Sequence, residues 1–312
     1  MRFWLRLVEL SSQGKLLLVG DNPFHGISHL SQEHSRVRGD TPTNPEYAAR
    51  LIGLSVENGA DGFMFSVSGT TLSILDILRK NGDSDGLRLY AIVPYAYEYV
   101  RLAGALGGIP GLAKKLVREI VFSWNLRAVA SGLNGVVRSD LASLFKTYLL
   151  YEVSRVRRSA GKAELESVLL HQLITDLCLG LGLDWVFKFC TGFLLKRGIT
   201  PGFNTGNFAL LVKKLKEWDI GLEDVVIAAP FNKVGFQLVP SKEECEKALA
   251  GLPKPNVLAI SILAAGYLTP KEAVNYIAVL PNIKGVAVGV SKEKHANETF
   301  QLLKEKLLHE VG

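Results

Sequence analysis

One feature constrains this chain more than any other. Short runs of β-forming apolar residues recur along it, each bounded by turn residues and followed by a helical pattern. They lie at residues 15–20 (KLLLVG), 61–67 (DGFMFSV), 87–94 (LRLYAIVP), 166–171 (ESVLLH), 198–203 (GITPGF), 224–230 (DVVIAAP), 256–263 (NVLAISIL) and 285–290 (GVAVGV). Several are apolar nearly throughout, the pattern of parallel strands covered on both faces. Their starts are 46, 26, 79, 32, 26, 32 and 29 residues apart. Apart from the long gap, that spacing fits a strand–helix repeat. Eight such units predict a (β/α)8 TIM barrel. The alternative fold is a doubly wound open sheet. It would place a glycine-rich phosphate turn after its first strand, and Gly20-Asp21-Asn22-Pro23 is not one. Residues 198–203 are the weakest strand, since Pro201 and two glycines are poor strand formers. Helix starts are legible at Asn44-Pro45-Glu46 and in the capping-box patterns Ser241 to Glu244 and Thr269 to Glu272.

The sequence has 312 residues, and the reading is a single barrel over 1–312. The 79-residue gap holds about 50 residues beyond a normal unit, and the remainder is close to the ~250 typical of the fold. The stretch 96–163 is therefore expected to be a helical insertion. Leu112, Leu116, Val117, Ile120, Val121 and Trp124 form one apolar stripe at helical spacing, and Leu141, Phe145, Tyr148, Leu149 and Val156 help form another. The insertion is also basic. Between residues 98 and 162 there are 11 basic and four acidic residues, more than the whole formal net charge of +6. It reads as a helical lid over the mouth or as a dimerisation arm, and its charge suits an anionic ligand. A nucleic acid is a poorer match, because no recognition motif or interleaved aromatic pattern accompanies the charge.

Composition closes off other classes. With 48% hydrophobic and 21% charged residues the chain is neither disordered nor low-complexity. Three cysteines without paired spacing indicate neither a disulfide framework nor a zinc ribbon. The N-terminus is interrupted by Arg2, Arg6 and Glu9, so it does not form a signal-peptide core. The most apolar stretch, residues 168–195, carries too much charge for a membrane span. A cytoplasmic protein is expected.

In this fold working residues lie just past the carboxyl end of each strand. After the first strand come Asp21, Asn22, His25 and His29, the densest polar stretch in the chain. Later strands offer Ser66, Ser68, Tyr95, His171, Asn204, Asn232, Lys233 and Ser261, and the eighth leads into Ser291, Lys292 and Lys294. Asp21 and His25 suit general acid–base work, since a carboxylate can fix an imidazole's tautomer. They equally suit a loop tie. A metal at His25 and His29 is disfavoured by Pro23 and Gly26, which oppose a helix there. His171 reads either as a catalytic residue or as a satisfied core histidine. Ser291 at a helix start, with Lys292 and Lys294, could hold a phosphate or serve only as a cap. Lys233 could form a Schiff base if buried or set beside another cation.

The C-terminal half resembles the aldo/keto reductase family. Residues 257–269 (VLAISILAAGYLT) are similar to that family's seventh-strand segment, with Ile262 in place of a proline. Residues 285–297 (GVAVGVSKEKHAN) are similar to its eighth strand and following helix, where members bind the nicotinamide cofactor's phosphate. The run 168–171 (VLLH) is similar to the strand ending in the catalytic histidine. The resemblance spans roughly residues 165–310. It implies a barrel, a phosphate site at Ser261, Ser291, Lys292, Lys294 and Asn297, and a catalytic role for His171. Members also carry an aspartate and a tyrosine after the second strand and a lysine ending the third. Here those places read FSVSG (65–69) and Pro94. Of the four catalytic positions only His171 has a counterpart, and Tyr95 or Tyr97 would be a displaced phenol.

The expectation is an enzyme, reductase-like, acting on a small anionic or phosphate-bearing molecule with NADP or a flavin as the cofactor to test. Asp21, His25 and His171 would surround the reacting carbon, with Asn22, His29, Ser66, Ser68, Tyr95, Asn204 and Asn232 as substrate contacts. Two alternatives stand beside it. One is a lyase or aldolase using acid–base or Lys233 Schiff-base chemistry. The other is a non-catalytic barrel whose basic insertion binds a partner, with homo-oligomerisation left open.

Overall fold

The computed structural model describes residues 14–26, 43–95 and 141–307. Within them eight parallel strands close into a ring in chain order: β1 (Leu16–Gly20), β2 (Gly62–Ser66), β3 (Arg88–Val93), β4 (Glu164–Leu170), β5 (Thr200–Asn204), β6 (Val226–Pro230), β7 (Val257–Ile260) and β8 (Ile283–Gly289). β8 closes on β1, with Gly20 against Gly289. This is the expected (β/α)8 barrel, and the closed ring rules out the open sheet. Nine helices lie among the described residues: α1 (Pro45–Glu57), α2 (Gly69–Asn81), α3 (Leu141–Ala160), α4 (Gln172–Gly180), α5 (Asp184–Leu195), α6 (Phe208–Glu217), α7 (Lys242–Ala250), α8 (Pro270–Ala278) and α9 (Glu293–Leu307).

Strand alternation divides the core into two layers. Leu16, Leu18, Met64, Tyr90, Ile92, Leu169, Val226, Ala228, Leu258 and Ala287 fill the barrel axis. Their neighbours, such as Leu17, Phe63, Leu89, Val168, Phe203 and Val286, join the larger layer between sheet and helices. Both faces are therefore apolar, which is why the runs lack polar alternation. β5 forms despite its composition. Pro201 pairs with Val168 on the outward face, and Gly202 is required because a Cβ there would lie 2.5 Å from Leu169 Cγ.

The helix starts follow the sequence. Asn44 caps α1 through Glu46 N–H, and Ser241 caps α7 through Glu244 N–H. Thr269 and Glu272 form a reciprocal capping box at α8. α3 packs against α2, β3 and β4, the place of the third unit's own helix. Part of the stretch 96–163 is thus barrel wall. The remainder of the basic segment, 96–140, lies outside the described residues, and with it the lid and arm readings.

Charged residues lie toward the amino end of the barrel. Two register shifts leave Glu166 and Lys284 as extra residues in β4 and β8. Burial holds the Lys284 ammonium below its ordinary value; the Glu166 carboxylate pulls the other way, while Lys254 and Arg88 add to the lowering. Catalytic groups are not expected at this end, where barrels invest in stability. Among the described residues no helix is long and apolar enough to cross a membrane.

Candidate active site

The carboxyl ends of the strands converge on one rim, and β1 sets the geometry there. The chain leaves Gly20 into a short 3-10 turn, Asn22–His25, which Gly26 ends in a left-handed conformation. Phe24 anchors the turn in the core against Phe63, ring centroids 6.0 Å apart. Pro23 lies over the end of β8, so close that a Cβ on Gly289 would meet its Cδ at 2.7 Å. Asp21 is thereby held at the mouth, where its Oδ2 accepts from Ser66 N–H at 2.6 Å. The same oxygen meets His25 Nε2 at 3.1 Å. The side chains of His25 and Asp21 are only 6% and 8% exposed, so water does not compete for this pair. The Tyr95 ring stacks on His25 with centroids 4.7 Å apart.

His171 stands at the end of β4. Its backbone N–H donates to Val93 O at 2.8 Å, which carries the β3–β4 pairing one residue past the strand. Leu169, two residues before it, faces the barrel axis. His171 also caps α4: Nδ1 accepts from Leu173 N–H at 3.2 Å. A neutral ring with Nδ1 accepting carries its proton on Nε2. Burial pushes the His171 imidazole below its ordinary value, and the Asp21 and Asp176 carboxylates pull it partly back. The field of Asp21 therefore reaches His171, and Asp21, His25 and His171 share one rim.

Asn204 ends β5 beside His171, because β4 and β5 pair Leu170 with Phe203. It is 8% exposed, and its Oδ1 has no hydrogen-bond partner among the described residues. Ser66 also turns toward the axis, following Met64. Asn22 lies on the exposed side of the turn, and His29 lies outside the described residues. Ser68 is buried in a capping box with Thr71, where its hydroxyl holds the start of α2. The Asn232 amide is spent on its own loop and on the turn after β7: Nδ2 donates to Phe236 O and Ser261 O, and Oδ1 accepts from Phe236 N–H. Lys233 is exposed and lies in the field of Glu272; the burial that would activate a Schiff-base lysine is not there.

At the end of the barrel, Gly289 opposite Gly20 puts Ser291 next to the Asp21 turn. Lys292 O accepts from His295 N–H and Ala296 N–H, so Lys292 rather than Ser291 is the first carbonyl of α9. Lys294 runs along the exposed face toward Glu298 at 3.7 Å. Asn297, one turn on, accepts from Asn58 Nδ2 at 3.0 Å on the α1 side. Ser261 adopts φ 53 and offers its carbonyl to Asn232.

Two features were not legible in the sequence. The Asp176 carboxylate clamps the β5–α6 loop, accepting from Thr205 Oγ1 at 2.5 Å and Gly206 N–H at 3.0 Å. Arg50 of α1 reaches Glu293 at the start of α9, at 3.1 Å. Neither pairing has a local sequence signal, since the partners are far apart in the chain. Among the described residues, no three or more His, Cys, Asp or Glu side chains cluster as a metal site.

Comparison with known proteins bears on the barrel. A solved structure described as "the putative aldo-keto reductase" from Pseudomonas aeruginosa superposes with TM-score 0.55, covering 93% of this chain and 90% of that one at 13% identity. A second structure with the same description and organism gives TM-score 0.54 at 14% identity, covering 93% and 89%. The barrel is aldo/keto-reductase-like. At this identity the likeness concerns the fold. No protein-family model matches the sequence, and no curated protein matches it.

Proposed function

We propose that this aldo/keto-reductase-like barrel is an enzyme, an oxidoreductase acting at its carboxyl-end rim on a small anionic carbonyl or alcohol compound. The observation that carries this reading is the meeting of Asp21, His25 and His171 on one rim. A buried carboxylate shared between an imidazole and a backbone N–H is a costly arrangement for a loop tie alone.

In this reading His171 presents an Nε2–H donor to the substrate oxygen, and the Asp21-held His25 exchanges a proton with it. The tyrosine and lysine that aldo/keto reductases use are replaced at their own positions by the 65–69 segment and Pro94, and Tyr95, stacked on His25, is a phenol beside the dyad, while Tyr97 lies outside the described residues. A nicotinamide dinucleotide would supply hydride when bound. The residues suited to its phosphate are Ser291 and Lys292 with the first N–H groups of α9, a 15-residue helix whose positive end opens beside the Asp21 turn. Arg50 offsets the Glu293 carboxylate at that end.

Titration of the purified chain with NADPH, NADH and FMN, followed by fluorescence and thermal shift, tests the reading. Binding of a dinucleotide is expected, weakened at least tenfold by Lys292→Ala together with Ser291→Ala. No response to any of the three would contradict it.

A further inference from the structure

One side of α4 is apolar and open to solvent. Leu173, Leu177 and Leu181 recur every four residues, the spacing that lines side chains up on one face of a helix. Trp185 follows in the first turn of α5, which packs against α4. The opposite side of α4 is spent in the core, where Thr175, Cys178 and Leu179 are buried. Leu173 and Leu177 are each 56% exposed, Leu181 64% and Trp185 37%. Apolar residues scattered singly over a surface need no partner, but a run of them in register marks a contact site. Gly180 and Gly182, on either side of Leu181, keep the ground around it bare: a Cβ on either would meet nothing within 4 Å.

The same face is electrically silent. From Gln172 to Phe187 the only charged residues are Asp176 and Asp184. Asp176 is occupied by the β5–α6 loop, where Thr205 Oγ1 and Gly206 N–H donate to its carboxylate. Asp184 takes Lys188 Nζ at 2.7 Å, and this half-exposed pair on α5 flanks Trp185. The edge of the stripe thus carries one acid and one base, with no net charge. That balance selects the occupant. A membrane surface would call for unpaired cations around the stripe to meet anionic headgroups, and Lys188 is already paired. A second copy of this chain calls for the reverse. Two molecules of formal net charge +6 repel each other, and least where the contact itself is neutral. A two-fold axis also makes an edge of one acid and one base complementary to itself, because Asp184 then faces Lys188 of the partner subunit.

We infer that the outer face of α4, continued by Trp185, is the interface of a two-fold homodimer. The leucine stripe of each protomer packs on that of the other, with Trp185 as the aromatic anchor. The Asp184 and Lys188 side chains pair across the edge as well as within α5. A contact of this kind ordinarily takes about 800 Å² from each protomer, and the stripe supplies its apolar centre. The inference does not depend on the reaction proposed for the rim.

Sedimentation equilibrium of the full chain, up to millimolar concentration, tests it. A reversible monomer–dimer equilibrium is expected. Leu177→Glu together with Leu181→Glu should weaken it about 100-fold or more, since the new carboxylates would be desolvated against their own copies. Both sites are exposed in the protomer, and circular dichroism establishes that the variant is folded. The edge pair gives a second reading that does not need this variant. Asp184→Lys alone and Lys188→Asp alone should each weaken the dimer about tenfold, because like charges then face each other. Mixed in equal amounts, the two variants should associate more tightly than either does by itself, a recovery that a pair acting only within α5 would not produce. A chain that stays monomeric at millimolar concentration overturns the inference. So do a dimer indifferent to the stripe substitutions, open-ended growth in place of a dimer, and a mixture no tighter than its components. Binding of a monomeric chain to phosphatidylserine vesicles, lost in Leu177→Glu with Leu181→Glu, would make the occupant a membrane and overturn it equally.

Discussion

His171 has two jobs at once: it caps α4 through Nδ1 and lies at the rim in the field of the Asp21 carboxylate. Burial lowers its proton affinity in the folded chain relative to the unfolded one. Below its ordinary value of 6.5 the unfolded state binds a proton that the folded state resists, so stability falls as pH drops through that window. His171→Asn should lose less stability between pH 7.5 and 5 than the parent chain. Urea midpoints across that range check this, and parallel curves would contradict it. Asp21 invites a second test. Asp21→Ala leaves Ser66 N–H buried without an acceptor, a loss of about 1–3 kcal/mol, read from the urea midpoint at pH 7.

At the level of elements, apolar runs and caps were the legible part. All eight runs became strands because a strand buried on both faces leaves an unbroken apolar signature. Even residues 198–203 paired, since Pro201 and Gly202 meet needs that only neighbouring strands impose. The capping box at Thr269 is reciprocal and local, so it could be read from four residues. Thr269→Ala should cost about 1 kcal/mol, lowering the thermal midpoint by roughly 1–2 °C. An unchanged midpoint would show that α8 is held by packing alone. The end of the inserted stretch was less legible. The apolar stripe of α3 marks a buried helix equally well in an insertion or in the barrel wall, and only its packing on α2 and β4 separates the two.

For the whole molecule, the ring itself makes a site from residues 150 positions apart, and the barrel rule located the rim groups without an alignment. It could not say which of them turn inward or are already spent. Asn232 is consumed by its own loop, Ser68 by a helix start and Asn297 by Asn58, each through contacts that local pattern does not encode. Asp21, His25 and His171 remain as the group whose fields and hydrogen bonds interlock. Titration of nitrogen-15-labelled histidines by NMR, in the parent chain and in Asp21→Asn, tests that interlocking most directly. The account predicts that the His171 titration moves to still lower pH once the Asp21 charge is removed. A His171 curve indifferent to the Asp21 substitution would contradict it.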